Sequence, residues 1–224
     1  MNALNIRGWK RAVPLCSLKM ASRREANQKL GTPEMFMTES LLAIVNLDKH
    51  VAKRVPREEN APQPRANDVY YVSPGSGGET FFIEFKTGRA PESEHEEQIK
   101  GSMKLCVMLG IMPDEEAVRT AVHYILVYSA VKNADKRAAE LQKKQSLNDT
   151  VSFVTEKSTR RTLTLFGIER FEGVYCRIAE SMTEEEFHAL FVQPMESVDP
   201  WRVPYPTGTP YREETTAAWP NAKR

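Results

Sequence analysis

This sequence is most informative first in what it lacks. It has no run of about 18 apolar residues, so nothing in it predicts a membrane-spanning helix. Cysteine is scarce: Cys16, Cys106 and Cys176 stand far apart in 224 residues, with no C-x-x-C pair among them. That excludes a disulfide framework and a thiolate zinc site, and it points to a reducing compartment. The four histidines, His50, His95, His123 and His188, lack the short spacing of a histidine metal site. Net charge is only +1, so the chain as a whole is neither a polycation nor an acidic tail. The glycines of Gly75-Ser76-Gly77-Gly78 lack the Lys-Ser/Thr ending of a P-loop and precede a strand, which excludes phosphate cradling of that kind. No internal repeat is present.

What remains is a hydrophobic fraction of 41% and a charged fraction of 27%, the balance of an ordinary water-soluble globular domain. Charge is uneven locally. Residues 1–33 hold seven Lys or Arg against the single acid Glu25. Three readings stay open for this stretch: a solvated arm, an arm that grips phosphates, or an organellar transit peptide. No apolar core follows the charges, so a secretory signal is not expected. The expected organisation is a basic N-terminal arm or extension over 1–32, one domain over 33–193 and a proline-rich extended or disordered tail over 194–224. The expected location is cytoplasmic, with organellar targeting left open.

Periodicity gives the elements. Thr32-Pro33-Glu34 carries helix-start signals, and apolar residues from Phe36 to Val55 predict an amphipathic helix ending at Pro56. Pro56–Ala66 reads as a linker. Strands are predicted at Val69–Ser73 and Thr80–Thr87, joined as a hairpin across the Pro74–Gly78 loop. A helix follows over His95–Leu109, with Gly110 as its C-terminal cap. Ala121–Ala130 is continuous apolar sequence suited to a central strand covered on both faces. Lys132–Gln145 reads as a solvent-facing helix, and Thr162–Ile168 with Gly173–Ile178 as a second hairpin. Thr183 and Glu186 form a capping-box pattern before "FHALF". His95 reads as an exposed loop residue, and Cys106 and Cys176 as small core residues.

The chemistry concentrates in "FFIEFKTG". Side chains alternate across a strand, so Phe81, Ile83 and Phe85 share one face while Glu84 and Lys86 share the other. Asp68 opens the partner strand and converges on the same place if the hairpin register joins the strand ends. Two carboxylates are the hard oxygen ligands that Mg²⁺ or Mn²⁺ accepts, and the Phe85 carbonyl between the two charged residues offers a further oxygen. An adjacent ammonium can orient water or offset developing charge.

Asp68, then fifteen residues, then Glu84-Phe85-Lys86-Thr87-Gly88, resembles the signature of PD-(D/E)XK nucleases, and most nearly their RecB-like branch. Gln98 stands where that branch has a glutamine early in the next helix. Asn67 replaces the usual proline before the first acid, and Ser102 replaces a tyrosine four residues after the glutamine. The resemblance covers about Pro33–Ala130. It implies an α/β fold with a restriction-endonuclease-like core, a central mixed sheet flanked by helices. It also implies a metal-dependent nuclease acting on phosphodiesters, with DNA favoured over RNA and endo- or exonuclease action left open. A defence or mobile-element role follows by analogy. Asp68, Glu84, Lys86 and Gln98 become the catalytic candidates. Asp68, Glu84 and the Phe85 carbonyl become the metal ligands, joined by a carboxylate from the preceding helix assigned to Glu39 ahead of Glu34 and Asp48. The alternative is an inactive module of the same fold that binds nucleic acid or a protein.

Overall fold

The computed structural model describes residues 15–24, 33–48, 65–74, 78–88, 92–150 and 164–203. The elements run β1 (Leu15–Ser17), α1 (Leu18–Ala21), β2 (Arg23–Arg24), β3 (Met35–Phe36), β4 (Ala43–Val45), β5 (Val69–Val72) and β6 (Thr80–Lys86). Next come α2 (Glu92–Met108), α3 (Glu115–Ala121), β7 (Val122–Tyr128), α4 (Ala134–Thr150), a 3₁₀ turn (Ile168–Phe171) and β8 (Ile178–Thr183). The described chain closes with α5 (Glu184–Phe187), a π-helical turn (His188–Val192) and α6 (Gln193–Val198). Six strands form one mixed sheet in the order β1-β4-β5-β6-β7-β8. Pairing is antiparallel from β1 to β6 and parallel across β6, β7 and β8. The fold is α/β, with a central mixed sheet flanked by helices. Among the described residues no helix is long and apolar enough to cross a membrane.

Alternation along the strands divides the core in two. Tyr70, Phe82, Tyr124, Leu126 and Tyr128 point to the face covered by α2, where Ile99, Met103 and Cys106 meet them. Tyr71, Phe81, Ile83, Phe85, Ile125 and Val127 point to the other face, packed against Phe187 and Phe191. The predicted split of "FFIEFK" between two faces is therefore what the sheet displays. The hairpin, the central strand β7, the helices α2 and α4 and the Gly110 turn (φ 66°) also form where periodicity places them. Thr183 Oγ1 accepts the Glu186 amide while the Glu186 carboxylate accepts the Thr183 amide, a complete capping box.

Four expectations are corrected. The helix expected from Pro33 is absent over the described residues 33–48, which run extended through β3 and β4. Leu41–Val45 is a continuous apolar run, so both of its faces need cover. A strand between two layers supplies that: Ala43 and Val45 enter one core and Ile44 the other. The expected arm over 1–32 contributes β1, whose residues are buried and paired with β4. Over the described residues from 164 on, the second hairpin is not formed. Phe166 and Gly167 take left-handed conformations (φ 66° and 63°), breaking the first strand, and Gly173 (φ 71°) turns the chain again. Among the described residues of this stretch the strand is Ile178–Thr183, parallel to β7. The tail expected from Pro194 starts inside α6, and beyond it Asp199 is buried and accepts the Tyr71 hydroxyl at 2.9 Å. The expected linker up to Pro64, most of the arm, the first two residues of the expected second hairpin (162–163) and the tail beyond Val203 lie outside the described residues.

Candidate metal and phosphodiester site

Val69 pairs with Ile83 in an antiparallel ladder, so the next positions outward, Asp68 and Glu84, lie opposite one another. Both continue the alternation that carries Tyr70 and Phe82 toward α2. Lys86, two residues on, shares that face at the end of β6. Helix α2 crosses above and supplies Gln98. The hairpin register and the helix thus bring Asp68, Glu84, Lys86 and Gln98 together.

The contacts are dense. Glu84 is only 2% exposed. Its Oε1 accepts from Lys86 Nζ at 2.9 Å and from Gln98 Nε2 at 2.7 Å. Its Oε2 accepts from the Asp68 amide at 3.3 Å and from Asn67 Nδ2 at 3.4 Å. Asp68 Oδ2 accepts the Phe85 amide at 2.9 Å. Phe85 therefore takes part through its N–H, and its carbonyl points to the same strand edge, as both groups of an extended residue do. Lys86 also reaches Glu94 at 3.7 Å.

Burial raises the pKa of Asp68 well above the ordinary carboxylate range, and the facing Glu84 charge and the more remote Asp48 add to it; the Phe85 amide and Lys86 work in the opposite direction. Burial likewise raises Glu84, against the pull of Lys86, Gln98 and Asn67. For Lys86, burial would lower the pKa, but Glu84, Asp68 and Glu94 outweigh it and hold the ammonium above its usual value. The cluster is two carboxylates that resist ionising together beside a cation that keeps its proton.

Two small residues let α2 come this close. A Cβ on Gly101 would lie 1.7 Å from the Arg65 carbonyl oxygen, so only glycine permits the approach. Ser102 Oγ accepts the Asn67 amide at 2.7 Å, fixing the residue before Asp68. Ser102 occupies the position of the expected tyrosine and anchors backbone there.

Glu39 stands apart. With the chain extended, its carboxylate is 76% exposed and pairs with Lys19 and not with the hairpin carboxylates or Lys86. Asp48 is the carboxylate of that region whose charge reaches Asp68. His95, which the sequence places in an exposed loop, is 0% exposed on α2. Its acidic neighbours suggest a solvated turn, but it lies four residues before the buried Ile99, on the inward helical face. Burial lowers its pKa to about 4, with Lys86, Lys136 and Arg170 adding to the effect, so the ring is neutral at ordinary pH. Both ring nitrogens, Gln98 Oε1, Asn67 Oδ1 and the Tyr124 hydroxyl are buried without a partner among the described residues.

The buried Glu84 and half-buried Asp68 carboxylates, with the orphaned oxygens of Gln98 and Asn67 on the residues that hold Glu84, make a hard-oxygen donor set, which fits a divalent cation completed by water and substrate. A fully protein-built cage is not present: among the described residues no three His, Cys, Asp or Glu side chains gather closely enough to hold a metal. No protein-family model, curated protein or solved structure matches this chain.

Proposed function

We propose that the protein is a metal-dependent phosphodiester hydrolase with a PD-(D/E)XK-type core, acting on nucleic acid and on DNA in preference to RNA. The observation that carries this reading is the meeting of Asp68, Glu84, Lys86 and Gln98 under α2 at the end of β6, around the buried Glu84 carboxylate. Asp68 and Glu84 would hold Mg²⁺ or Mn²⁺, with the Phe85 carbonyl at the same edge. When bound, such an ion lowers the pKa of a water and neutralises charge developing on the phosphodiester.

The chain's own groups have separable roles. Gln98 and Asn67 fix the Glu84 carboxylate in rotation. Lys86 keeps its proton across the neutral range, so it orients the attacking water or offsets negative charge, and does not serve as the base. The neutral His95 ring and the Phe166 ring, whose centroids lie 6.0 Å apart, help close that side of the site to solvent.

A second reading has one observation in its favour. Every oxygen of Glu84 is already engaged within the protein, as a binding module without catalysis would permit. Incubation of the purified protein with plasmid DNA and structured RNA separates the two, using Mg²⁺ or Mn²⁺ against chelator. The nuclease reading expects metal-dependent cleavage, reduced about 10²-fold or more in Lys86→Ala and Glu84→Ala. Cleavage that survives both substitutions refutes the assigned site.

A further inference from the structure

The opposite face of the same strands holds a separate cavity of about 390 Å³, at the smaller end of the range of small-molecule sites. The α5–π-turn–α6 segment covers β6 to β8 with aromatic contacts, Phe85 on Phe187 at 5.6 Å and Phe81 on Phe191 at 5.1 Å. The pocket opens beside this cover, over the earlier part of β7 and β8. Its apolar walls are Phe81, Ile125, Met182, Leu190, Phe191 and Met195. The wall carrying Leu190 and Phe191 is the π-helical turn, a departure from α-geometry that recurs at functional sites.

Charge selects the class of ligand. Glu79, Glu172 and Glu180 also line the cavity. Arg177 is drawn to the rim by Glu79 at 3.7 Å and donates to His123 Nε2 at 3.1 Å. Glu172 is used to accept the Ala179 amide at 2.9 Å. The half-buried Glu180 carboxylate has no hydrogen-bond or ion-pair partner among the described residues. An anionic ligand would meet three carboxylates. A bare metal ion would meet mostly carbon. A cation carried on a flat apolar body satisfies both, because aromatic faces attract cations and a carboxylate fixes the charged end.

We infer that this cavity binds a small organic cation, an amidinium, guanidinium or amine on an apolar stem, with Glu180 as its counter-ion and Phe81, Phe191 and the two methionines as its walls. The site is independent of the nuclease reading, since Phe81 and Glu84 face opposite sides of β6.

Benzamidine titrated into the full chain by calorimetry or NMR is the direct probe, with neutral benzamide as its shape-matched control. Saturable benzamidine binding is expected, about tenfold or more above benzamide, and about tenfold weaker in Glu180→Gln. Leu190→Trp should fill the cavity and abolish binding with the thermal transition retained. If that variant fails to fold, Glu180→Gln alone decides. Absence of saturable binding at millimolar benzamidine, equal binding of benzamide, or an unaffected Glu180→Gln variant overturns the proposal.

Discussion

Asp68→Asn should make the metal-free protein more stable at neutral pH while removing metal binding. The native-state pKa of Asp68 is raised chiefly by burial and then by Glu84, so its ionised form is disfavoured in the folded state. A group of this kind contributes fully to stability below its unfolded value of about 3.9, and that contribution is lost as pH rises through the higher folded value. Asparagine keeps an oxygen for the Phe85 amide, now 2.9 Å from Asp68 Oδ2, and deletes the charge. Replacing a buried charge in this way is worth about 1–3 kcal/mol near neutrality, offset in part by the lost attraction to Lys86. For a chain of this size that corresponds to a rise of roughly 2–10 °C in Tm. The gain should vanish near pH 4, where the native carboxyl is protonated. Millimolar Mg²⁺ should raise the Tm of the native protein and leave that of the variant unchanged. Thermal melts across pH, with and without Mg²⁺, measure each part. A variant that is less stable at neutral pH, or whose advantage does not change with pH, refutes the electrostatic account of this pair.

His95→Leu should flatten acid sensitivity. The folded pKa of His95 is depressed from 6.5 to about 4, so stability present above the unfolded value is lost as pH falls through that window. At about 1.36 kcal/mol per unit, the native chain loses up to roughly 3 kcal/mol there, and urea melts should show this loss missing in the variant. Gly101→Ala should cost more than 2 kcal/mol, because its Cβ meets backbone and not a movable side chain; its urea midpoint should fall and α2 amides should exchange faster. Thr183→Ala should cost about 1 kcal/mol by removing the capping box, read as a lower urea midpoint with an unchanged slope.

Sequence reading reached furthest where a short pattern carries its own geometry. In "FFIEFK" the two-residue period places three apolar side chains on one face and Glu84 with Lys86 on the other. One register choice then sets Asp68 opposite Glu84. The capping box at Thr183 is equally local. Failure came where a pattern fitted two periods. Phe36 to Val55 can be read at helical spacing, but Leu41–Val45 is apolar without a gap, and cover by two layers decided for strand. The misplacement of Glu39 followed from that choice, because an extended chain aims it at Lys19. His95 was hidden by its charged neighbours; extending the Ile99, Ser102, Cys106 face back one turn reaches it. Phe166 gave no signal, since nothing in a phenylalanine announces a positive φ.

The location of the charged groups along the chain has a consequence for folding. Asp68, Glu84, Lys86 and Gln98 belong to one hairpin and the helix that follows it, a unit of local contacts that can form early. The groups that take water away from it come later in the chain: Tyr124 and Leu126 from β7, and Phe166 before the 3₁₀ turn. Two like charges can therefore be brought side by side while still hydrated, with the unfavourable dehydration deferred until β7 docks. Docking of β7 should then be the step whose rate responds most to pH and to divalent cations, a dependence that the hairpin alone would not have.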